Sequence, residues 1–293
     1  MRRLLRDNGT VVSKATTRKL ISASGLTGAK PRYCQLVRDA NKEKRVSFCE
    51  SLIQANDTLD NEIFTEECTV QLHNNKVVVY RLQDASAPYV PKPKHPLKIH
   101  VWAGICKRGA TQIVLFEGIM RKEFFVSEIL ENTLLPFIRQ KFPDNPRFQQ
   151  DNDPKHKSKL ATEFLVENNI VWWRDWPSES CDLNPIEMVW NELKASVSKK
   201  NPRNKDELVS AITEFWGKTM TKDKCTKYTD HIYKVVPVCV FVNGKPTCDL
   251  PKRIFEEPSL GKSISYFNEK LNTVLEMYQK AIRLTSRIDV SHV

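Results

Sequence analysis

Between residues 63 and 72 apolar and polar positions alternate. Phe64, Glu66, Cys68, Val70 and Leu72 fall on one face, Thr65, Glu67, Thr69 and Gln71 on the other. This is the period of a strand with one face turned to a core. Further strands are predicted at 76–82, 97–106 and 111–116, with Lys107-Arg108-Gly109 turning the last two into a hairpin. Helical spacing follows over 123–142, where Phe125, Ile129, Leu130, Leu134 and Ile138 share a side and Pro136 marks a kink. Residues 147–151 read as a strand, 158–168 as a helix with Leu160, Phe164 and Leu165 inward, and 170–173 as a strand. Strand, helix, strand is a crossover and implies a parallel pair. A second helix opens at Asn184-Pro185 and buries Ile186, Val189, Trp190, Leu193 and Val197. Beyond it, 207–216, 223–235 and 271–282 have helical spacing, the last for packing or subunit contact; 238–242 reads as a strand and Asn243-Gly244 as a tight turn.

The first 60 residues are patterned differently. A short helix over 12–26 starts at the N-cap Ser13 and stops at Gly25, and 25–34 has the glycines and proline of a linker. A second helix, 36–53, carries Val46, Cys49, Leu52 and Ile53 at loosely helical spacing. The segment 85–96, with prolines at 88, 91, 93 and 96, reads as a semi-rigid loop. The fold class is therefore α/β, a mixed sheet flanked by helices. The expected division is a basic arm (1–45), a helical linker (46–60), the sheet domain (61–200) and a mainly helical extension (201–293).

Composition narrows the function. A chain of 293 residues, 40% hydrophobic, can bury one large core. No run approaches eighteen apolar residues, and the opening MRRLLRDNGTVVSK lacks the apolar stretch of a secretory signal, so an intracellular protein without a membrane partner is expected. The net charge is +11, and the first 45 residues hold twelve lysines and arginines against three acids, a surplus of nine. Such density suits a phosphate backbone, or else forms a solvated arm. Lys14, Thr16, Thr17, Arg18 and Lys19 crowd the first turns of the 12–26 helix, where a recognition helix presents side chains to DNA. Eight cysteines are scattered singly and six histidines are dispersed. Reduced thiols and a metal held by oxygen ligands, magnesium or manganese, are the consequence.

Three carboxylates stand out, two of them where elements begin or end. Glu66 lies on the apolar side of the first strand, where an unpaired charge is costly and a partner or metal is expected. Asp151 ends a strand and, with 35 residues between, Glu187 sits in the first turn of a helix. Glu187 has a second reading, because N-x-x-E is a capping box. Asp153 reads as a turn residue and Glu67 as solvated. Lys155 and His156 either orient a phosphate or are solvated loop residues. Oxygen ligands from separate elements suit two-ion phosphoryl transfer, which spacing alone allows without establishing.

The run FQQDNDPKHKS followed by WPSESCDLNPIEMVWNELK strongly resembles the DDE catalytic domain of mariner-superfamily transposases, the match being specific over roughly 63–194. The resemblance implies a ribonuclease-H-like fold preceded here by a partial helix-turn-helix arm. It implies Mg2+ or Mn2+ held by Glu66, Asp151 and Glu187, and cut-and-paste movement of DNA at terminal inverted repeats. Double-stranded DNA, at those repeats and at the target, is the implied partner, with room for a homodimer and with a nuclear location. Asp151 matches the family's second aspartate and Glu187 its closing glutamate. Three features depart from the pattern: Thr65-Glu66-Glu67 replaces T-D-E, the Asp151–Glu187 interval is one residue longer than usual, and Cys181 stands where proline is usual. The stretch before the catalytic region has room for the end of the second of two helix-turn-helix units, so the chain reads as truncated and weakened, or as a non-catalytic DNA-binding derivative.

Overall fold

The computed structural model describes residues 11–24, 35–55, 57–72 and 96–247, with Gly9 and Lys94 besides. The strand expected at 76–82, the linker 25–34, most of the proline-rich segment, the 271–282 helix, Cys34 and Cys248 lie outside the described residues.

The alternation at 63–72 produces strand β1, Glu62–Gln71. β2 (Lys98–Cys106) runs antiparallel beside it and turns back through Lys107-Arg108 into β3 (Gly109–Ala110) and then β4 (Val114–Phe116), both of which pair with β2. On the other side β5 (Arg147–Gln149) is parallel to β1, and β6 (Val171–Trp172) is parallel to β5. The sheet order is β3-β2-β1-β5-β6, a mixed sheet with the expected parallel crossover.

Both faces of this sheet are covered. Phe64, Cys68 and Val70 pack with C-terminal helices, whereas Ile63, Trp102 and Phe148 pack beneath the segment 122–141. Thr65, expected on the polar face, is consequently buried.

The N-terminal helices are α1 (Lys14–Ala23), capped by Ser13, and α2 (Asp39–Gln54). Phe48, Cys49 and Leu52 of α2 join the same core as the sheet and the C-terminal helices. The helix expected at 123–142 begins as α3 (Lys122–Phe124), widens into a π-helix over Phe125–Leu134 and resumes as α4 (Leu135–Lys141). Pro136 sits just past the widened turns, where an ordinary helix would drive its ring into the carbonyl four residues back; the π register makes room for it. α5 (Lys159–Glu167), capped by Ser158, buries Ala161 and Leu165. Leu160, expected inward, is 41% exposed, because the buried stripe runs through Ala161 one position later.

A 3-10 turn at Cys181–Leu183 leads into α6 (Ile186–Lys200), whose predicted face is wholly buried. α7 (Lys205–Thr219), α8 (Lys222–Thr229) and α9 (Ile232–Phe241) follow. The helix expected at 223–235 thus breaks near Asp230, and the strand expected at 238–242 is the end of α9. Val235, Val236, Val238 and Val242 are buried and α9 packs along α2, and that packing overrides the valines' preference for strands. Asn243 and Gly244 take positive φ of 53° and 71° and close α9 instead of turning a hairpin, with Gly244 N donating to Cys239 O at 2.8 Å. A Cβ at Gly244 would lie 2.2 Å from Lys42 O, so glycine lets α9 end against α2.

Candidate active site

The parallel register of β1 and β5 builds the centre of the site. Phe64 pairs with Gln149, the last partners in that ladder. Glu66 and Asp151 each follow two residues later, so both arrive just past the end of the β1–β5 ladder, on the same side of their strands. They line a cavity of about 210 Å3 together with Asn152, Trp176, Ser178, Cys181 and Asn184.

Asn184 ties the third element to the other two. Its Nδ2 donates to Thr65 O at 3.0 Å and to Gln149 Oε1 at 3.3 Å, which pins the start of α6 to β1 and β5. The capping box expected at N-x-x-E is not formed. The backbone N–H of Asn184 donates to Cys181 O at 3.1 Å, and Glu187 approaches Asn184 through its own N–H at 3.2 Å. The Glu187 carboxylate is left for another use. It does not line the cavity, but its charge is among those that act on Glu66.

The electrostatics of the three acids differ. Burial first, then the charges of Glu67, Asp151 and Glu187, push the Glu66 carboxyl up to about 9, even though its Oε1 accepts the Glu67 N–H at 3.0 Å. Glu66 is therefore neutral at pH 7 unless positive charge arrives. Burial also raises Glu187, with Lys194 opposing. Asp151 resists burial and is held below the usual range, because its Oδ1 meets His156 Nδ1 at 2.6 Å and accepts the Asp153 N–H at 3.0 Å.

His156 is not a solvated loop residue. It is 3% exposed, under the ring of Phe125 at 4.2 Å, and bridges Asp151 to Glu67 Oε1 at 3.2 Å. Burial disfavours its charge, yet the bonds to Asp151 and Glu67 raise it to about 9. Glu67 is not solvated as expected: burial would raise it, but the bond from His156 and the charges of His156 and Lys155 hold it low. Lys155 Nζ lies 3.4 Å from Glu67 and 2.8 Å from Asp153. Asp153 keeps its turn role, accepting the Lys155 N–H at 3.0 Å. The spacing of Asp151 and His156, five residues apart in D-N-D-P-K-H, was the available signal.

Among the described residues no three histidine, cysteine or acidic side chains converge tightly enough to share one ion. The cavity nevertheless suits a hard divalent cation, since it presents the carboxylates of Glu66 and Asp151, and burial together with the neighbouring acids leaves Glu66 short of positive charge. Both bonds of Asp151 fall on Oδ1 and leave Oδ2 outside them. Next to the carboxylate cavity, and sharing Asn152, Trp176, Pro177 and Ser178 with it, is a cleft of about 610 Å3 between α2 and the 174–178 loop. Lys44, Lys157 and Arg174 line it, with Glu43 and Asp175. On α1, Lys14, Thr16, Arg18 and Lys19 are exposed, whereas Thr17 is buried and donates its hydroxyl to Ser13 O at 3.0 Å. Cys49, Cys68, Cys106, Cys181, Cys225 and Cys239 are free thiols.

Residues 62–209 match the family described as DDE superfamily endonuclease. The chain is 27% identical over 247 residues to the transposable element Tc1 transposase of Caenorhabditis elegans, a match covering 82% of this chain and 89% of that protein. It is 27% identical over 216 residues to the Tcb1 transposase of Caenorhabditis briggsae, covering 71% and 78%. Among solved structures it is similar to the Mos1 transposase paired-end complex with left transposon end, with a TM-score of 0.72 at 14% identity over 83% of this chain and 74% of that one. The Mos1 catalytic domain alone gives 0.58 at 14% identity, covering 73% and 98%. The mixed sheet and its helices are thus the ribonuclease-H-like fold that the sequence implied.

Proposed function

The chain belongs to the DDE superfamily of endonucleases, in its Tc1/mariner transposase branch, and on that premise we propose that it cuts and rejoins DNA at the inverted-repeat ends of a mobile element, at a rate held down by Glu66. The observation that carries the reading is the convergence of Glu66 and Asp151 on one cavity, with Glu187 at the start of the adjoining helix. Glu66, Asp151 and Glu187 would hold two divalent ions, which would activate the attacking oxygen and stabilise the leaving one; solved Mos1 paired-end complexes contain Mn or Mg.

The chain's own residues do the rest. His156 and the Asp153 N–H hold Asp151 ionised and fix its orientation. Asn184 sets where α6, and with it Glu187, begins. Lys44, Lys157 and Arg174 line the neighbouring cleft, where a DNA strand leaving the cavity would find its phosphates matched by positive charge. In the first step water attacks a phosphorus, its bond to the 3'-oxygen breaks and that oxygen leaves as a 3'-hydroxyl; in the second the 3'-hydroxyl attacks a phosphorus of target DNA, forming the new phosphodiester as the target strand's own 3'-oxygen leaves. Exposed Lys14, Thr16, Arg18 and Lys19 on α1 add backbone affinity, and Thr17 shapes the helix start.

Glu66 stands where this family has aspartate, and its extra methylene shifts the oxygens. A displacement of about 1 Å costs about a hundredfold in rate. The test is Mn2+-dependent cleavage of a duplex carrying the element's own ends. Feeble cleavage by the natural chain, partial recovery in Glu66→Asp and none in Asp151→Ala is expected. Equal, robust cleavage by natural chain and Glu66→Asp would remove the role given to Glu66, and no cleavage by either would favour a DNA-binding derivative.

A further inference from the structure

Arg45 is fully buried, and the catalytic reading gives it no part. It projects from the middle of α2, outside the region matched to the endonuclease family. A buried guanidinium is costly unless every donor is satisfied. Here Nη1 donates to Glu179 O at 2.8 Å, to Ser180 Oγ at 2.9 Å and to Asp182 Oδ1 at 2.7 Å, Nη2 donates to Asp182 Oδ2 at 2.7 Å, and Nε donates to Gly244 O at 3.0 Å. Four of these bonds end on one short stretch, Glu179 to Asp182. That stretch walls the carboxylate cavity and runs through the 3-10 turn into Asn184 and α6.

The wall needs holding. Glu179 has a φ of 58°, the left-handed region, which costs a side-chain-bearing residue on the order of 1 kcal/mol or more and persists where surroundings enforce it. Its carboxylate is gripped from the start of α2, accepting the Arg38 N–H at 2.8 Å and Arg38 Nε at 2.6 Å. On the far side Asp182 Oδ2 also accepts the Thr247 N–H at 2.8 Å and its hydroxyl at 3.0 Å. The chain before the sheet and the chain after α9 therefore meet at one ion pair behind the cavity wall.

We propose that Arg45 is a positioning residue: paired with Asp182, it fixes the Glu179–Asp182 wall and the start of α6, and thereby the place of Glu187. The inference rests on the carboxylate cavity being an ion site. It makes α2 and the end of α9 part of the working unit, so the site depends on segments that carry none of its acids.

The test uses the full chain with Arg45→Lys, which keeps the charge and loses the fork, and Asp182→Asn, which keeps the shape and loses the charge. Amide hydrogen exchange is followed residue by residue, and Mn2+ binding is measured in parallel. Expected is exchange about tenfold or more faster at 179–187 in both variants, with the amides of β1 and β2 as protected as before, and Mn2+ bound about tenfold more weakly. Exchange rising uniformly over the chain would reduce Arg45 to general stability and overturn the proposal. So would unchanged protection at 179–187, or loosened exchange there with undiminished Mn2+ affinity. A natural chain that binds no Mn2+ would instead sink the two-ion reading, while the exchange arm, which needs no ion, would still decide whether Arg45 holds the wall.

Discussion

Loading a divalent ion into the cavity should expel a proton. Glu66 is raised to about 9 by burial and by the neighbouring acids, so at pH 7 it is ionised in roughly one molecule in a hundred. A ligand oxygen must give up that proton. Binding of Mn2+ at pH 7 should therefore release close to one proton per chain from Glu66, falling to about half at pH 9. Apparent affinity should rise about tenfold per pH unit between roughly pH 6 and 9. Asp151, already held low, adds nothing to the release. Titration calorimetry in buffers of different ionisation enthalpy reads the proton count directly. His156 is the other group raised to about 9 at this site, so release retained in His156→Gln and abolished in Glu66→Gln assigns the proton to Glu66. Tight binding at pH 7 with no proton released, or affinity flat from pH 6 to 9, would refute the reasoning.

Two further outcomes follow from the geometry. His156 has a folded pKa above its ordinary value of 6.5, so its contribution is complete below about pH 6.5 and lost as pH rises through about 9. In urea melts the natural chain should exceed His156→Asn by about 1–3 kcal/mol at pH 6 and by little at pH 10; a gap independent of pH would contradict the ion-pair account. Gly244→Ala puts a methyl into Lys42 O at a positive φ and should cost about 1–3 kcal/mol, seen as a lower denaturation midpoint; a loss below about 0.5 kcal/mol would mean that α2 and α9 are not packed as described.

Where one physical signal dominated, the sequence was legible. Alternation placed β1, and with it Glu66 beside Phe64 and Cys68; the 3.6-residue stripe from Ile186 to Val197 gave α6 and all five of its inward residues. Turn chemistry placed Asp153. Misreadings arose where tertiary packing outweighed local preference. The valines of α9 read as a strand because their propensity is β, yet packing along α2 makes them helical. Glu67 and Thr65 read as solvent-facing because period two assumes one covered face, and the 122–141 segment covers the other. N-x-x-E suggested a cap at Glu187, but Asn184 spends its side chain on β1 and β5, 119 and 35 residues away in sequence. His156 and Arg45 were illegible for the same reason. The five-residue spacing to Asp151 hinted at one side of the His156 bridge, but its other partner, Glu67, lies 89 residues away, and every partner of Arg45 lies 134 or more away.

The account rests on Glu66 and Asp151 holding a divalent ion in their shared cavity, with Glu187 completing the site of a second. Crystals of the full chain soaked in Mn2+ and measured at the manganese absorption edge test this most directly. The account predicts anomalous density within about 2–2.5 Å of carboxylate oxygens of Glu66 and Asp151, and its loss in Asp151→Ala. Anomalous density confined to other acids, or none at saturating Mn2+, would contradict it.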